Sequence, residues 1–185
     1  MRSSDEVGTA AIGTVDFEGA RVYAIPMRVR FRGITVREGM LIEGPAGWGE
    51  FCPFAEYDDA ECAPLGGVRR SLQVAAAARL PCVVSSALET SVGLAAQLAL
   101  AAALTELDFA CGLGTLSLLD GDLVAGSGSL LAVEGYLPIP DKRPAPDPAL
   151  LEKYELTDPQ RAAWWRDRLR RVRALPQAEL QRAQL

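Results

Sequence analysis

The stretch Leu80–Gly93, with the sequence LPCVVSSALETSVG, decides the fold of this chain. It opens with a compact apolar run, Cys82–Val84, which predicts a short buried strand. Ser85 and Ser86 then interrupt the run with two small hydroxyl side chains. From Glu89 onward the apolar spacing becomes helical. The stretch therefore predicts a strand, a tight polar turn and a long helix in direct succession.

The turn between this strand and this helix is a candidate anion site. Where a strand is followed closely by a helix, backbone N–H groups and hydroxyls gather at the strand's carboxyl end, and anions bind there in sheets and barrels of alternating β and α. We therefore expect Ser85 and Ser86 to bind a carboxylate. The alternative is that one of the two serines caps the helix, because serine is a common N-cap residue.

Length and charge restrict the class of protein. The 185 residues are 49% hydrophobic and 23% charged, which suits one domain or one and a half. A complete (β/α)8 barrel takes about 250 residues. The net charge of −5 predicts no nucleic-acid and no membrane partner. The N-terminal residues lack the apolar core of a signal peptide, and the apolar run Val92–Leu104 is too short to span a bilayer, so we expect a cytoplasmic location.

Cysteine and histidine usage excludes several kinds of site. The chain has no histidine, and its four cysteines lie far apart with no CxxC pair. The absence of histidine removes any Ser-His or Cys-His catalytic pair. We expect reduced, mostly buried thiols and no zinc site.

The first 55 residues predict a small antiparallel sheet, because apolar and polar residues alternate along them. Pro26 is expected to end the first strand or to mark an edge strand. Gly44–Gly47 has the composition of a hairpin turn, and a helix is expected to begin at Tyr57. The expected strands are Arg21–Ile25, Met27–Ile34, Val36–Glu43 and Trp48–Phe51.

The following residues alternate between helix and strand, which is typical of a parallel α/β layer. A helix over Val68–Arg79 precedes the opening strand, and a second short strand, Ala110–Leu113, follows the long helix. A Pro-rich segment, PIPDKRPAPDP, then predicts an extended linker before two helices, Ala149–Tyr154 and Pro159–Arg173. The last helix carries an apolar stripe, which favours packing on its own protein over nucleic-acid binding, with its arginines solvated near Glu152, Glu155 and Asp158.

Three long stretches carry a resemblance to a known family. GARVYAIPMRVRFRGITVREGMLIEGPAGWGEFCPF resembles the capping sheet of the o-succinylbenzoate synthases, enzymes of menaquinone biosynthesis in the enolase superfamily. PLGGVRRSLQVAAAARLPCVVSSALETSVGLAAQLALAAAL, followed by ACGLGT, resembles the last part of the family's barrel. The tail PDPALLEKYELTDPQRAAWWRDRLRRV resembles its C-terminal segment.

The resemblance is discontinuous. In the family, barrel strands one to six separate the cap from the PLGGV-like segment, whereas here the cap continues directly into Pro64. The resemblance therefore implies an internal deletion at about Pro64. The expected fold is α/β: a cap sheet, the last two strand-helix units of a (β/α)8 barrel, and a C-terminal helical tail. The expected domains are residues 1–63, 64–140 and 141–185.

The family implies a chemistry that this chain lacks the residues to perform. Its members are magnesium-dependent lyases that dehydrate a cyclohexadiene carboxylate, using a Lys-x-Lys pair, a further lysine and three acidic metal ligands. The only lysines here are Lys142 and Lys153, in the linker and tail. The sequence therefore predicts no catalytic residue, no metal ligand and no bound magnesium. Glu50 is interpreted as a cap-positioning or exposed glutamate rather than as a metal ligand, because no partner acids accompany it.

The resemblance also implies which residues lie at the substrate end. The two serines would follow the seventh strand, two glycines would follow the eighth, and the cap loop would fold over the pocket. Close backbone packing is the alternative role for the glycines. The predicted substrate-binding residues are Ser85, Ser86, Gly112, Gly114, Arg32 and Gly33.

Three interpretations stay open at this point. The chain is a lyase of this type, or a catalytically inactive internal-deletion product from a degraded gene or a faulty assembly, or a non-enzymatic interaction module whose cap and tail bind a partner. Parallel strands are normally paired on both edges. Removal of their neighbours predicts self-association through exposed barrel edges, or a rearranged fold in which the cap sheet packs on both barrel units.

Overall fold

A three-stranded antiparallel sheet forms the N-terminal part of the protein, in the order β1-β2-β3. The structure is a computed structural model that describes residues 15–62, 67–79, 81–104, 106–137 and 139–175. The strands are β1 Asp16–Phe31, β2 Ile34–Gly44 and β3 Gly47–Phe51. The predicted sheet and its Gly44–Gly47 turn are confirmed. The predicted deletion point, Pro64, and the first residue of the opening stretch, Leu80, lie outside the described residues.

Four α-helices follow the sheet. They are α1 Gly67–Ala78, α2 Ser91–Ala103, α3 Pro148–Lys153 and α4 Pro159–Ala174. Two short 3-10 turns, Thr115–Leu118 and Gly126–Gly128, lie between α2 and α3. Aspartates cap α3 and α4, and each is followed by a proline at the first helical position. The mixed α/β fold and all four helices agree with the sequence prediction.

Pro26 marks an edge strand and does not end the first strand, so the second of its two predicted roles is confirmed. β1 runs through it, and Pro26 pairs with Val36 before the register shifts toward Phe31. The Pro26 carbonyl accepts a hydrogen bond from the Asp120 N–H at 2.7 Å. The N–H and C=O of one strand residue point to the same side, so the missing N–H also faces away from β2. No β1–β2 hydrogen bond is lost, and the strand continues.

The helix predicted to begin at Tyr57 is only a turn within the described residues. The Asp58 and Glu61 side chains accept hydrogen bonds from each other's backbone N–H, both at 2.8 Å. This reciprocal arrangement is that of a capping box. A single helical hydrogen bond, from Cys62 N–H to the Asp58 carbonyl, follows it.

The two strands predicted around Cys82–Val84 and Ala110–Leu113 are reduced to one parallel bridge, between Ser85 and Gly112. Val83 is 52% exposed, although the sequence predicted a buried strand. A parallel strand normally has neighbours on both edges and helices on both faces. Here each segment has one neighbour, so the pairing extends over a single position.

The sheet lies between two apolar layers, because successive residues of a strand point to opposite faces. Tyr23, Ile25 and Leu41 belong to a cluster that also contains the apolar residues of α2 and the segments after it. Val22 and Met40 face the opposite way and pack with the buried residues of α4. The cap sheet therefore packs on the barrel-like part with one face and on α4 of the tail with the other.

The tail lies against the outer edge of β1 and against the cap. The Ala24 N–H donates to the Tyr154 carbonyl and the Leu156 N–H to the Val22 carbonyl. The predicted apolar stripe of α4 is confirmed, since Trp165, Leu169 and Val172 are buried. No helix in the described ranges is long and apolar enough to cross a membrane.

The prediction of solvated α4 arginines near the tail's own acids is confirmed for the exposure of Arg170, Arg171 and Arg173, but is wrong for Arg168 and for most of the acids. Arg168 is buried, and its Nη2 donates to the carbonyls of Phe54 and Tyr57 and to the Cys62 thiol. Three other arginines of α4 reach acids of the cap, because the helix packs across that sheet, and Arg170 also pairs with Asp167 of its own helix. The three pairs with the cap are Arg161 with Glu38, Arg170 with Glu18 and Arg171 with Asp59.

Candidate functional site

The strand end predicted to hold a carboxylate is built on the single parallel bridge. The Ser86 N–H donates to the Gly112 carbonyl, and the Gly112 N–H donates to the Val84 carbonyl, each at 2.9 Å. These two bonds align the carboxyl ends of the two extended segments. The structure thereby brings Ser85, Ser86 and Gly112 together, as the sequence predicted.

A short chain of hydroxyls fixes Ser86. Its Oγ lies 2.9 Å from the Gly112 carbonyl oxygen and 2.7 Å from Thr115 Oγ1. Thr115 Oγ1 also accepts a hydrogen bond from the Leu88 N–H at 3.0 Å. A hydroxyl has one proton to donate, and Ser86 directs it to Gly112 when Thr115 donates to Ser86. In this arrangement Ser86 orients the turn and retains only an acceptor position for a ligand.

Ser85 is the hydroxyl that can turn toward a ligand. It is exposed, and its Oγ lies 3.5 Å from the Ser86 carbonyl, the outer limit of a hydrogen bond. A Cβ at Gly112 would lie 3.1 Å from that Oγ, so the glycine keeps the space beside Ser85 open. Gly114 has no such role, since a Cβ there would meet nothing within 4 Å. Its carbonyl accepts the Ser117 hydroxyl at 2.7 Å.

Leu88, the residue two before the helix cap, adopts a left-handed conformation with φ of 69°. This region is costly for a branched side chain. Two hydrogen bonds hold it: its N–H donates to Thr115, and its carbonyl accepts Arg37 Nε at 3.2 Å. Arg37 is buried and also donates to the carbonyls of Ala87 and Cys52. The cap strand β2 therefore holds the turn in place.

The start of α2 is satisfied by a carboxylate of the cap. Thr90, not a serine of the turn, is the N-cap residue. Glu50 of β3 accepts the Thr90 hydroxyl at 2.7 Å, the Thr90 N–H at 3.1 Å and the Gly93 N–H at 2.8 Å. It also accepts the Tyr23 hydroxyl. Burial raises the pKa of Glu50, and the hydrogen bonds from Tyr23 and Thr90 oppose that rise. Glu50 thus joins the cap strand β3 to the start of α2, which fits the cap-positioning alternative of the sequence interpretation and not the exposed one.

A second carboxylate, Asp122, serves the next N–H of α2. It accepts the Ser91 N–H at 3.0 Å and the Ser91 hydroxyl at 2.5 Å, together with the Ser129 hydroxyl at 2.7 Å. The Ser91 hydroxyl in turn accepts the Leu130 N–H. Glu50 and Asp122 thus accept the hydrogen bonds from the N–H and hydroxyl groups that a bound anion would otherwise use at the start of α2. The place that remains for a ligand carboxylate is the strand end beside Ser85.

The cap loop predicted to cover the pocket is a two-residue turn, in which Arg32 and Gly33 both have positive φ. Arg32 donates to the Tyr57 hydroxyl at 2.8 Å and lies 4.8 Å above the Phe54 ring. The same ring lies 4.5 Å from the Arg37 guanidinium, which holds the turn at Ala87. The structure therefore links Arg32 to the turn through Phe54 and Arg37.

The residues present do not fit the magnesium of the resembling family. Within the described ranges, no three His, Cys, Asp or Glu side chains converge as a metal site. Glu50 and Asp122 are committed to the start of α2. Lys153 is exposed, and its hydrogen bond to Tyr154 raises its pKa, whereas a general base needs a lowered one. We derive no step through a metal ion.

Sequence reasoning did not single out Thr115, Arg37 or Asp122. Thr115 follows the second glycine and stands in the quoted ACGLGT, so a hydroxyl at that position could have been considered. Arg37 bonds to Ala87, 50 positions away in the chain, and Asp122 bonds to Ser91, 31 positions away. No local pattern predicts such distant contacts.

A family comparison agrees with the architecture of the cap. Residues 22–65 match the sequence model described as enolase N-terminal domain-like. This range covers most of the three-stranded sheet. The sheet and the following helices are consistent with an enolase-type cap joined to a partial barrel.

Three relatives, each named o-succinylbenzoate synthase, extend the match. The protein from Thermobifida fusca is 29% identical over 276 residues, covering 64% of this chain and 86% of that protein. Those from Mycobacterium tuberculosis and Mycobacterium leprae are each 47% identical over 108 residues, 58% of this chain. The chain spans about a third of the length of the mycobacterial relatives. More than half of the aligned Thermobifida length has no counterpart here.

Proposed function

We propose that this chain, an o-succinylbenzoate synthase-like member of the enolase superfamily, is a non-catalytic descendant of a menaquinone-pathway lyase that still binds a carboxylate. Its ligand class is the family's cyclohexadiene carboxylate and the corresponding o-succinylbenzoate product. We place it in the cytoplasm, as a small-molecule binder without nucleic-acid or membrane partners.

One observation carries the proposal. The strand end keeps an exposed hydroxyl, Ser85, beside a glycine and a fixed hydroxyl pair, Ser86 and Thr115, whereas both lysines lie in the linker and tail. A hydroxyl donor with open space beside it can bind a carboxylate oxygen. Proton abstraction next to a carboxylate needs a tuned base and a metal ion, and the chain has no lysine in a strand.

The residues of this strand end have different roles in the proposed binding. Ser85 donates its proton to the ligand carboxylate, Gly112 leaves the space for it, and Ser86 with Thr115 holds the backbone. Arg32 donates to the Tyr57 hydroxyl and pairs with Glu56, so we assign it to the cap loop beside the site and not to the ligand carboxylate.

Isothermal titration of the full chain with o-succinylbenzoate tests the proposal. We expect saturable binding that is unchanged when magnesium is added or chelated. Ser85→Ala removes a hydrogen bond to a charged group and should weaken binding by about tenfold. Ser86→Ala should weaken it less. Ser127→Ala, an exposed serine in the 3-10 turn Gly126–Gly128, is the matched control and should change nothing.

Two results would contradict the proposal. Absence of binding at any attainable ligand concentration would remove the ligand role. Binding that requires magnesium would show that a metal site exists and would overturn the non-catalytic assignment.

A further inference from the structure

An apolar groove of about 560 Å³ lies between the C-terminal half of α2 and the segments 107–114 and 132–137. The buried side chains of Leu98, Ala101 and Leu113 line it and join it to the main core. Within the described part of the chain, none of the residues that line this groove is charged. Depletion of charged residues is what distinguishes the centre of an interface from other protein surface.

Large apolar side chains around the groove remain in contact with water. Val133 belongs to them because it pairs with Tyr136 through two backbone hydrogen bonds, of 3.0 and 2.9 Å, which place both side chains on one face of their hairpin. Exposed alanines at Ala102, Ala110 and Ala132 continue the surface. The large side chains and their exposed fractions are Leu107 48%, Phe109 60%, Val133 69%, Tyr136 80% and Ile139 62%.

The area of this surface indicates what covers it. An aromatic side chain can bury about 150–250 Å², so Phe109 and Tyr136 together leave roughly 300 Å² in water. The three aliphatic side chains leave on the order of 100 Å² each. The resulting patch of about 600 Å² is as large as the largest apolar patch of a typical monomer. Two copies that share it would bury about 1,200 Å², which reaches the range of stable protein–protein interfaces before the alanines are added.

We propose that two copies of this chain associate face to face through this surface, related by a two-fold axis. Burial of apolar area is non-directional, so an uncharged apolar surface complements a second copy of itself, as an isologous contact requires. The surface also offers both halves of a packed contact. Tyr136 projects from its hairpin, and the groove beside it has room for the corresponding ring of the second copy.

Sedimentation equilibrium of the full chain over a range of concentrations tests this dimer. We expect a reversible monomer–dimer equilibrium with no larger species, because a two-fold contact is closed. Tyr136→Asp and Phe109→Asp should each weaken the dimer on the order of a hundredfold, because each substitution acts twice in a two-fold interface. Tyr136→Phe keeps the apolar ring and should preserve the dimer.

Two matched controls place the same carboxylate elsewhere on the surface. Val83 is 52% exposed and Val29 is 50% exposed, and neither lines the groove. Val83→Asp and Val29→Asp should therefore leave the equilibrium unchanged. Circular dichroism establishes that every variant is folded.

A mixed dimer of the wild type and Tyr136→Asp tests the two-fold arrangement. It loses the tyrosine contact once, so it should be about tenfold weaker than the wild-type dimer and about tenfold stronger than the variant dimer. A fluorescent label on one of the two proteins lets sedimentation report the mixed species. Raising the NaCl concentration from about 0.05 M to about 0.5 M should not weaken the dimer, because its contact surface is uncharged.

Several results would overturn the proposal. The chain staying monomeric up to its solubility limit would do so, as would a dimer that resists both Tyr136→Asp and Phe109→Asp. Equal weakening by Val83→Asp or Val29→Asp would place the contact on another surface. A mixed dimer as weak as the variant dimer, or as strong as the wild-type dimer, would refute the two-fold symmetry, and weakening by salt would show that charged groups hold the copies together.

Discussion

At the scale of single residues, buried charged side chains join the cap to the rest of the chain. Three such side chains form hydrogen bonds with backbone groups or hydroxyls that belong to other elements and lie far away in the sequence. They are Glu50, Arg37 and Arg168. A buried charge is costly unless such partners surround it. These residues therefore determine how the cap and the barrel-like units fit together.

Glu50→Ala should lower the free energy of unfolding by about 2–4 kcal/mol, because it leaves several buried donors without an acceptor. The donors are the Tyr23 and Thr90 hydroxyls and the N–H groups of Thr90 and Gly93. Urea unfolding followed by circular dichroism measures the change. Glu43→Ala, which removes an exposed carboxylate from β2, is the control. A loss no larger than that of the control would refute the role of Glu50.

The pH dependence of stability should also report on Glu50. Burial raises its pKa in the folded state above the usual 4.5, so between these two values the folded protein holds the proton more tightly than the unfolded chain. The contribution of Glu50 to stability is therefore present below about pH 4.5 and falls as pH rises through the raised pKa. Glu50→Gln has no such proton. The free energy of unfolding of the wild type minus that of this variant should decrease as pH rises across that window. A constant or rising difference would contradict the burial of Glu50.

Residue roles were predictable from sequence only where a local pattern carried them. The Ser-Ser turn and the Asp158 cap are local, and the structure places them as expected. The partner of the α2 start is Glu50, which lies 40 residues before Thr90, so composition could exclude it as a metal ligand but could not identify what it binds.

At the scale of elements, the sheet and the barrel-like strands differ sharply in pairing. β1 and β2 form a long ladder, whereas the two barrel segments share one bridge. A strand gains stability from neighbours on both edges, and a single bridge provides little cooperativity. The turn that carries Ser85 is therefore held by Arg37, Thr115 and Glu50 more than by strand pairing.

Native-state hydrogen exchange should show this difference. The N–H groups of Met40 and Leu41, in the centre of the sheet, should exchange close to the rate set by global unfolding. Those of Ser86 and Gly112 should exchange at least an order of magnitude faster, through local opening. Equal protection at the two places would indicate that a continuous sheet extends through the bridge.

The position of α4 depends on Arg168. Arg168→Ala should lower the free energy of unfolding by about 2–4 kcal/mol, because the Phe54 and Tyr57 carbonyls lose a buried donor. Arg170→Ala is the matched control on the same helix. Arg170 forms only exposed pairs with Glu18 and Asp167, so its loss should have little effect. A similar response of the two variants in thermal unfolding would contradict the buried role of Arg168.

Helices were more predictable than barrel strands. The apolar spacing of α1, α2 and α4 and the Asp-Pro pairs that begin helices are patterns of neighbouring residues. The observed helix bounds are therefore close to the predicted ones. The strand prediction at Cys82–Val84 used the apolar run alone. Whether such a run becomes a strand depends on neighbours from elsewhere in the chain, and those neighbours are missing here.

At the scale of the whole molecule, the cap sheet and the last barrel units pack around a shared core. Sheet residues such as Ile25 and Leu41 lie in one cluster with Leu88 and Leu94 of the barrel-like part. The family resemblance predicted these parts and left their packing open between exposed barrel edges and a rearranged fold.

The central claim is that this architecture keeps a ligand-binding end without the machinery of the lyase. The most direct measurement is turnover of the cyclohexadiene carboxylate by the purified 185-residue chain with magnesium, followed by o-succinylbenzoate formation, with the Thermobifida fusca relative as the positive control. We predict no product above the rate without protein. Magnesium-dependent conversion by this chain would contradict the account.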